Sequence, residues 1–119
     1  MVTVYCYDRC STCKKALAWL EKNGIAFEFL DIKTRHPDAG TLRALYKKSG
    51  LPLRRFFNTS GMLYREKRLA EKLPDMTEEE MTDLLASDGM LVKRPLLVTD
   101  RGVFPGFREA EWKTLLGIN

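Results

Sequence analysis

The first thirty-two residues restrict the fold more than any other stretch of the chain. VTVYC, residues 2–6, is a short apolar run with β-branched residues and reads as a buried strand. Over residues 11–23 the pattern changes. Cys13, Ala16, Leu17 and Leu20 recur at three- and four-residue spacing, which is one face of a helix. Gly24 stands where a left-handed cap would end it. FEFLDI, residues 27–32, reads as a strand again. Strand, helix and strand within about thirty residues make a right-handed crossover with parallel strands.

The rest of the chain has to complete the sheet. Pro37 and Asp38 open a helix with Leu42, Leu45 and Tyr46 on its apolar face, and Gly50 closes it. A short helix is expected over 52–57, a turn at NTSG (58–61), and a weaker helical turn over 65–71. Thr77 with Glu80 has the capping-box spacing, and Met81, Leu84 and Leu85 face inward after it. PLLVT (95–99), a tight turn at 100–102 and VFPGF form a hairpin, with Pro105 at an edge or a strand end. A last helix, 109–116, carries Trp112, Leu115 and Leu116 and stops at Gly117. The assembled order predicts an α/β fold: a mixed four-stranded sheet with helices on both faces, in the thioredoxin-like arrangement with a helical insertion. A length of 119 residues suggests one domain. The expected core is 1–33 and 91–119, and the insertion 34–90.

Composition excludes several function classes. A hydrophobic share of 45% and a charged share of 30% fit a globular chain rather than a disordered one. The net charge is 20 − 16 = +4, an ordinary solvated surface. Lys47-Lys48 and Arg54-Arg55 are basic pairs, too short for a nucleic-acid stripe, so direct nucleic-acid contact is not expected. No apolar run is long enough to span a bilayer, and MVTVYCYDRC lacks the pattern of a signal peptide. A cytoplasmic location without a membrane partner is expected. Three cysteines clustered near one end do not form a secreted disulfide framework.

Chemistry concentrates at DRCSTCKKALAWL, residues 8–20. Cys10 falls just before the first helical turn, where unpaired N–H groups and the macrodipole favour an anion. Its thiol is therefore expected to ionise readily, with Lys14 and Lys15 adding positive charge. Cys13, one turn on and facing inward, is the less exposed thiol. Cys10 attacks a disulfide or oxidised substrate, and Cys13 resolves the mixed species. A zinc site would need about four ligands. Only Cys6 and His36 could complete one. Cys6 ends a strand that reads as buried and is taken as core; His36, beside Pro37, is taken as a surface loop residue. Neither a metal nor a cofactor is expected. In LVKRPLLVT (91–99), Pro95 starts a strand. A thioredoxin-like fold holds a cis proline there, beside the reactive thiol. Arg94 then lies near Cys10, able to stabilise a thiolate or bind an oxyanion.

MVTVYCYDRCSTCKKALAWLE is similar to the opening of Spx-type proteins and, more loosely, of arsenate reductases of the glutathione/glutaredoxin-linked class. KRPLLV (93–98) resembles that family's arginine-proline element, and GFREAEW (106–112) its last loop and helix. The resemblance spans nearly the whole chain. It implies a thioredoxin-like fold, Cys10 as nucleophile, Arg94 near it and a cis Pro95. Members of this ArsC/Spx-like family diverge in function: some reduce arsenate, while Spx-type members bind RNA polymerase and sense disulfide stress. Arsenate reductases generally lack the second thiol and set three arginines around the oxyanion. Here only Arg94 matches cleanly. Asn58 occupies the position after LRRFF, Phe107 stands where an arginine is expected with Arg108 one place on, and Arg54 or Arg55 would have to compensate.

The resulting reading is a thiol–disulfide oxidoreductase with Cys10, Cys13 and Arg94 as catalytic candidates. Ser11, Thr12, Pro95, Arg108 and Asn58 are substrate-binding candidates. Electrons would come from a thiol reductant: glutathione, glutaredoxin or thioredoxin. The alternatives are a redox-sensing regulator that binds the RNA polymerase alpha subunit, and a glutaredoxin-linked arsenate reductase.

Overall fold

In the computed structural model, which describes residues 2–118, the crossover is β1 (Thr3–Cys6), α1 (Ser11–Lys22) and β2 (Glu28–Asp31). β1 and β2 are parallel, with Val4 opposite Phe29 and Cys6 opposite Asp31. Gly24, at φ +68°, turns the chain out of α1, and the Ile25 N–H reaches back to the Leu20 carbonyl at 3.0 Å.

The segment between β2 and β3 is helical. α2 (Ala39–Ser49) starts where the Asp38 carboxylate accepts the Thr41 N–H at 2.8 Å, and ends at Gly50 with φ +68°. A 3₁₀ turn covers Leu53–Phe56. The weak helical turn expected over 65–71 is instead two short helices, α3 (Met62–Glu66) and α4 (Leu69–Lys72). Arg68 separates them in a left-handed conformation, φ 54°, which interrupts the helical ladder. α5 (Glu78–Ser87) has both bonds of its capping box: Glu80 N–H to Thr77 Oγ1 at 3.1 Å and Thr77 N–H to Glu80 Oε1 at 2.9 Å. Its inward face is Met81, Thr82 and Leu85, with Leu84 only half-buried. Thr82 can be buried because its hydroxyl donates to the carbonyls of Glu78 and Glu79.

β3 (Leu96–Thr99) and β4 (Gly102–Pro105) form the hairpin, and α6 (Glu109–Leu116) follows. Thr99 Oγ1 accepts the N–H groups of Arg101 and Gly102 and donates to the Gly102 carbonyl, closing the turn. The sheet order is β2-β1-β3-β4, with β3 antiparallel to both neighbours. This is the thioredoxin-like topology. Pro105 is the last residue of an edge strand, where the ladder tolerates it.

Alternation along the strands divides the core between two faces. Val4, Cys6, Leu97 and Phe104 pack with Cys13, Ala16 and Leu20 of α1 and Trp112 of α6. Leu96 and Val103 pack on the other side with Leu42 and Leu45 of α2, Met81 and Leu85 of α5, and Phe56. Among the described residues, no helix is long and apolar enough to cross a membrane.

His36 departs from its expected place. It does lie in the loop between β2 and α2, but half-buried, with Nε2 2.8 Å from the Ala86 carbonyl and Nδ1 enclosed without a partner among the described residues. The cause is the close approach of this loop to the Gly89–Leu91 turn after α5, where Gly89 leaves room for it.

Candidate active site

Three thiols meet at the start of α1, and the strand pattern explains why. Cys6 is on the face of β1 that points to α1, and Cys13 is on the face of α1 that points to the sheet. Both are buried, at 0% and 1% exposure, whereas Cys10 is half-exposed. Cys10 is the N-cap residue. Its backbone N–H donates to the Tyr7 carbonyl, and its own carbonyl accepts the Lys14 N–H, both at 3.0 Å. Its side chain makes no capping bond.

The favourable interactions converge on Cys13 rather than on the outer thiol. Its Sγ accepts a hydrogen bond from the Tyr7 N–H at 3.4 Å, and the neighbouring Cys6 and Cys10 thiols favour its ionised form. The Arg94 guanidinium adds a favourable charge. Together these outweigh burial and bring the Cys13 thiol down from 9.0 to about 7. Cys6, beside that sulfur in apolar surroundings, is pushed up. The helix end alone would place the charge on Cys10. Cys6 stands behind Cys13 only once strand and helix are packed together, so no local sequence pattern reveals its influence.

A pH dependence follows from these directions. Cys13 binds its proton less tightly when folded, so its contribution to stability is complete above 9.0 and is lost as pH falls through about 7. Cys6 has the opposite sign: its contribution is complete below 9.0 and is lost as pH rises above that. Denaturant midpoints between about pH 6 and 10 should therefore rise toward 9 and then decline. Cys6→Ala should remove the decline and move the Cys13 titration upward, read from thiolate absorbance. A Cys13 midpoint unchanged in that variant would contradict this role of Cys6.

Arg94 and Pro95 come to this end of the sheet from the other half of the chain. The Arg94–Pro95 peptide is cis. The Arg94 guanidinium lies over the Tyr7 ring, 5.3 Å from its centroid, with Nη1 3.3 Å from the Met90 carbonyl. The Pro95 carbonyl accepts the Gly106 N–H at 2.8 Å, and the Gly106 carbonyl accepts Trp112 Nε1 at 2.9 Å. Gly106 has φ +97°, a conformation that leads the chain from β4 toward α6. Phe107 then packs edge-on against Trp112, at 4.9 Å between centroids, and against Trp19, at 5.8 Å. Cys10 packs against the same core cluster as Phe107 and Trp19.

A cavity of about 780 Å³ reaches Thr12, which stands between Cys10 and Cys13 in the chain. Thr12, Arg94, Phe107 and Arg108 line it, and so do Arg54, Arg55 and Lys93. The thiols themselves are not among the lining residues. Of the other candidates, Thr12, Arg94 and Arg108 reach it; Ser11, Asn58 and Pro95 do not. Ser11 is exposed in the first turn of α1. Asn58 acts through its backbone, its N–H donating to the Leu91 carbonyl at 2.7 Å and its carbonyl accepting the Gly61 N–H. The bond to Leu91 belongs to a short lacing in which Phe57 bridges Val92 and the Lys93 N–H reaches the Phe56 carbonyl. The lacing carries Arg54 and Arg55 to the Lys93-Arg94 segment. The basic pair is visible in the sequence, but nothing local to residues 53–58 says that they pair with 91–93. Among the described residues, no group of three or more His, Cys, Asp or Glu side chains is arranged to hold a metal ion.

The model of the ArsC family matches residues 5–115. The uncharacterized protein YusI of Bacillus subtilis strain 168 is 50% identical over 112 residues, covering 94% of this chain and 95% of that protein. The crystal structure of an ArsC family related protein from Bacteroides fragilis superposes with a TM-score of 0.93 at 48% identity, covering 96% of each chain. Global transcriptional regulator Spx 1 of Lactococcus lactis is 26% identical, over 98% of this chain and 89% of that protein.

Proposed function

The chain belongs to the ArsC family, and on that premise we propose that it is a thiol–disulfide oxidoreductase working through Cys10 and Cys13. One observation carries the reading. A half-exposed thiol at the start of α1 stands one turn before a buried thiol brought down to about 7, to which the Arg94 guanidinium contributes a favourable charge.

In this reading Cys13 first serves as the base. As a thiolate it takes the proton of Cys10 while the Cys10 sulfur attacks one sulfur of a disulfide RS–SR′. A Cys10–SR mixed disulfide forms and R′S⁻ departs, taking the proton from Cys13. The Cys13 thiolate then attacks the Cys10 sulfur. The Cys10–Cys13 disulfide closes and RS⁻ is released. The substrate has gained two electrons and the protein has lost two. A dithiol or a pair of monothiols of the glutathione, glutaredoxin or thioredoxin type restores the pair. In this reading the unpaired N–H groups of the first turn and the Arg94 guanidinium stabilise the departing thiolate.

The test is a mapping experiment. Reduced protein is given one equivalent of hydroxyethyl disulfide and digested without reductant. A Cys10–Cys13 link with Cys6 still a thiol is expected by mass spectrometry. No link, or a Cys6–Cys13 link, would remove the basis of the reading.

The likeness to Spx 1 favours a second reading, in which the same pair switches contact with a transcription complex. That reading requires the oxidised and reduced chains to differ in affinity for the carboxyl-terminal domain of the RNA polymerase alpha subunit. Equal affinity, or none, would dispose of it.

A further inference from the structure

We infer that the cavity beside the thiols has a second subsite, built by Arg54 and Arg55, that takes the anionic leaving half of a small organic disulfide. The inference rests on the proposed disulfide chemistry and specifies its substrate.

Five cationic side chains line the cavity: Arg54, Arg55, Lys93, Arg94 and Arg108. Among the described residues none of the lining is acidic. The ion pairs between described residues are Arg43–Asp83 and Arg68–Glu71, which involve none of the five. Such a cluster repels itself, and a bound anion would relieve that repulsion. Two of the guanidiniums are seated on aromatic faces instead of carboxylates, Arg94 over Tyr7 and Arg55 over Phe104 at 5.4 Å. A guanidinium carries five N–H donors, so most stay available to a ligand.

Size narrows the ligand. About 780 Å³ lies within the range of about 300–1,000 Å³ that holds drug-sized molecules. A five-atom oxyanion would leave most of it to water. Apolar side chains complete the lining, among them Tyr64, Leu73 and Met81 from the helical segment. Charge and apolar wall together fit an organic group bearing a carboxylate.

Two separate elements supply the cations. Thr12, Arg94 and Phe107 lie beside the thiols, where the sulfur bonded to Cys10 must sit. Arg54 and Arg55 belong to a different element, the Leu53–Phe56 turn, held to the Arg94 segment by the Phe56–Lys93 and Phe57–Val92 pairing. When Cys10 attacks, the departing R′S⁻ remains on that side. Its carboxylate is held by Arg54 and Arg55.

The experiment compares two aromatic disulfides in single turnovers of pre-reduced protein: dianionic 5,5′-dithiobis(2-nitrobenzoate) and uncharged 4,4′-dithiodipyridine. Rates are normalised to those of free mercaptoethanol. A preference of about tenfold or more for the dianion is expected. Arg54→Gln with Arg55→Gln should erase it while leaving the rate with the uncharged probe unchanged. Arg54→Gln alone, at an exposed side chain, should give part of the loss without disturbing the fold. A preference retained in these variants, or equal loss with both probes, overturns the subsite. Binding of the unreactive S-methyl 5-thio-2-nitrobenzoate is measured by calorimetry on the Cys10→Ser protein, with and without the arginine substitutions. Arginine-dependent binding to Cys10→Ser, with the unsubstituted protein reducing neither disulfide, would uphold the subsite and reject the chemistry. Reduction of both probes without arginine-dependent binding would do the reverse.

Discussion

Cys10→Ser is expected to bring model-disulfide reduction to background, a loss of at least about a thousandfold, or about 4 kcal/mol of transition-state stabilisation. A hydroxyl cannot form the mixed disulfide on which the sequence of steps depends. Cys13→Ser should behave differently. The half-exposed Cys10 can still attack once, so one equivalent of thiol is released and a mixed disulfide accumulates. The first step should also slow by about 10²–10⁴-fold, because the thiolate that accepts the Cys10 proton is gone. Cys6→Ala, which leaves both partners in place, should alter the pH profile more than the maximum rate. Stopped-flow release of thiol, with intact mass of the products, separates the three variants. Full activity in Cys10→Ser, or continuous turnover in Cys13→Ser, would show that the electrons travel another way.

The largest expected effect on stability comes from a residue with no side chain. A Cβ built on Gly89 would lie 1.7 Å from the Ile32 carbonyl oxygen and 2.8 Å from His36 Cβ. The first obstacle is backbone, so no rotamer change relieves it. Ile32 is tied in turn to the sheet, its N–H donating to the Cys6 carbonyl at 2.8 Å. Gly89→Ala must therefore push the Gly89–Leu91 turn away from the end of β2. A loss of about 3 kcal/mol or more is expected. In a domain of this size the melting temperature should fall by roughly 10 °C or more. Gly40→Ala is the control: its nearest neighbour would be the Asp38 carboxylate at an ordinary 3.6 Å, and the melting temperature should hardly move. A Gly89→Ala protein that melts within a degree or two of the parent would contradict this packing.

The elements legible in the sequence are those with a local cause. The switch of period between Val2 and Ile32 locates the crossover, and the Thr77–Glu80 spacing locates the start of α5. Gly24, Gly50 and Gly117 each end a helix with positive φ, as their positions imply. The division of residues 62–72 into two helices is not legible, because the left-handed Arg68 carries no signal that distinguishes it from any exposed arginine. Thr82 looks less suited to the inward face than Leu84, because a hydroxyl is unfit for a core until its two carbonyl acceptors are known.

The site divides in the same way. Cys10 and Cys13 sit within one turn, and their placement follows from the helix alone. The approach of Arg94 is readable only through the expected fold. Arg54 and Arg55 reach the cavity through pairing between segments some thirty-five residues apart in the chain, which no local pattern encodes. Asn58 illustrates the converse: a polar side chain that suggests a ligand contact serves the same lacing through its backbone.

The alternation along β1 ties the reactivity of the inner sulfur to strand alignment. Val4 and Cys6 look toward α1, while Tyr5 packs with the opposite layer. Sliding this four-residue strand by a single position would exchange the two sets, putting a phenol where a thiol now stands behind Cys13. The thiol behind Cys13 is thus fixed by the same pairing, Cys6 against Asp31 and Tyr5 against Leu96, that builds the sheet.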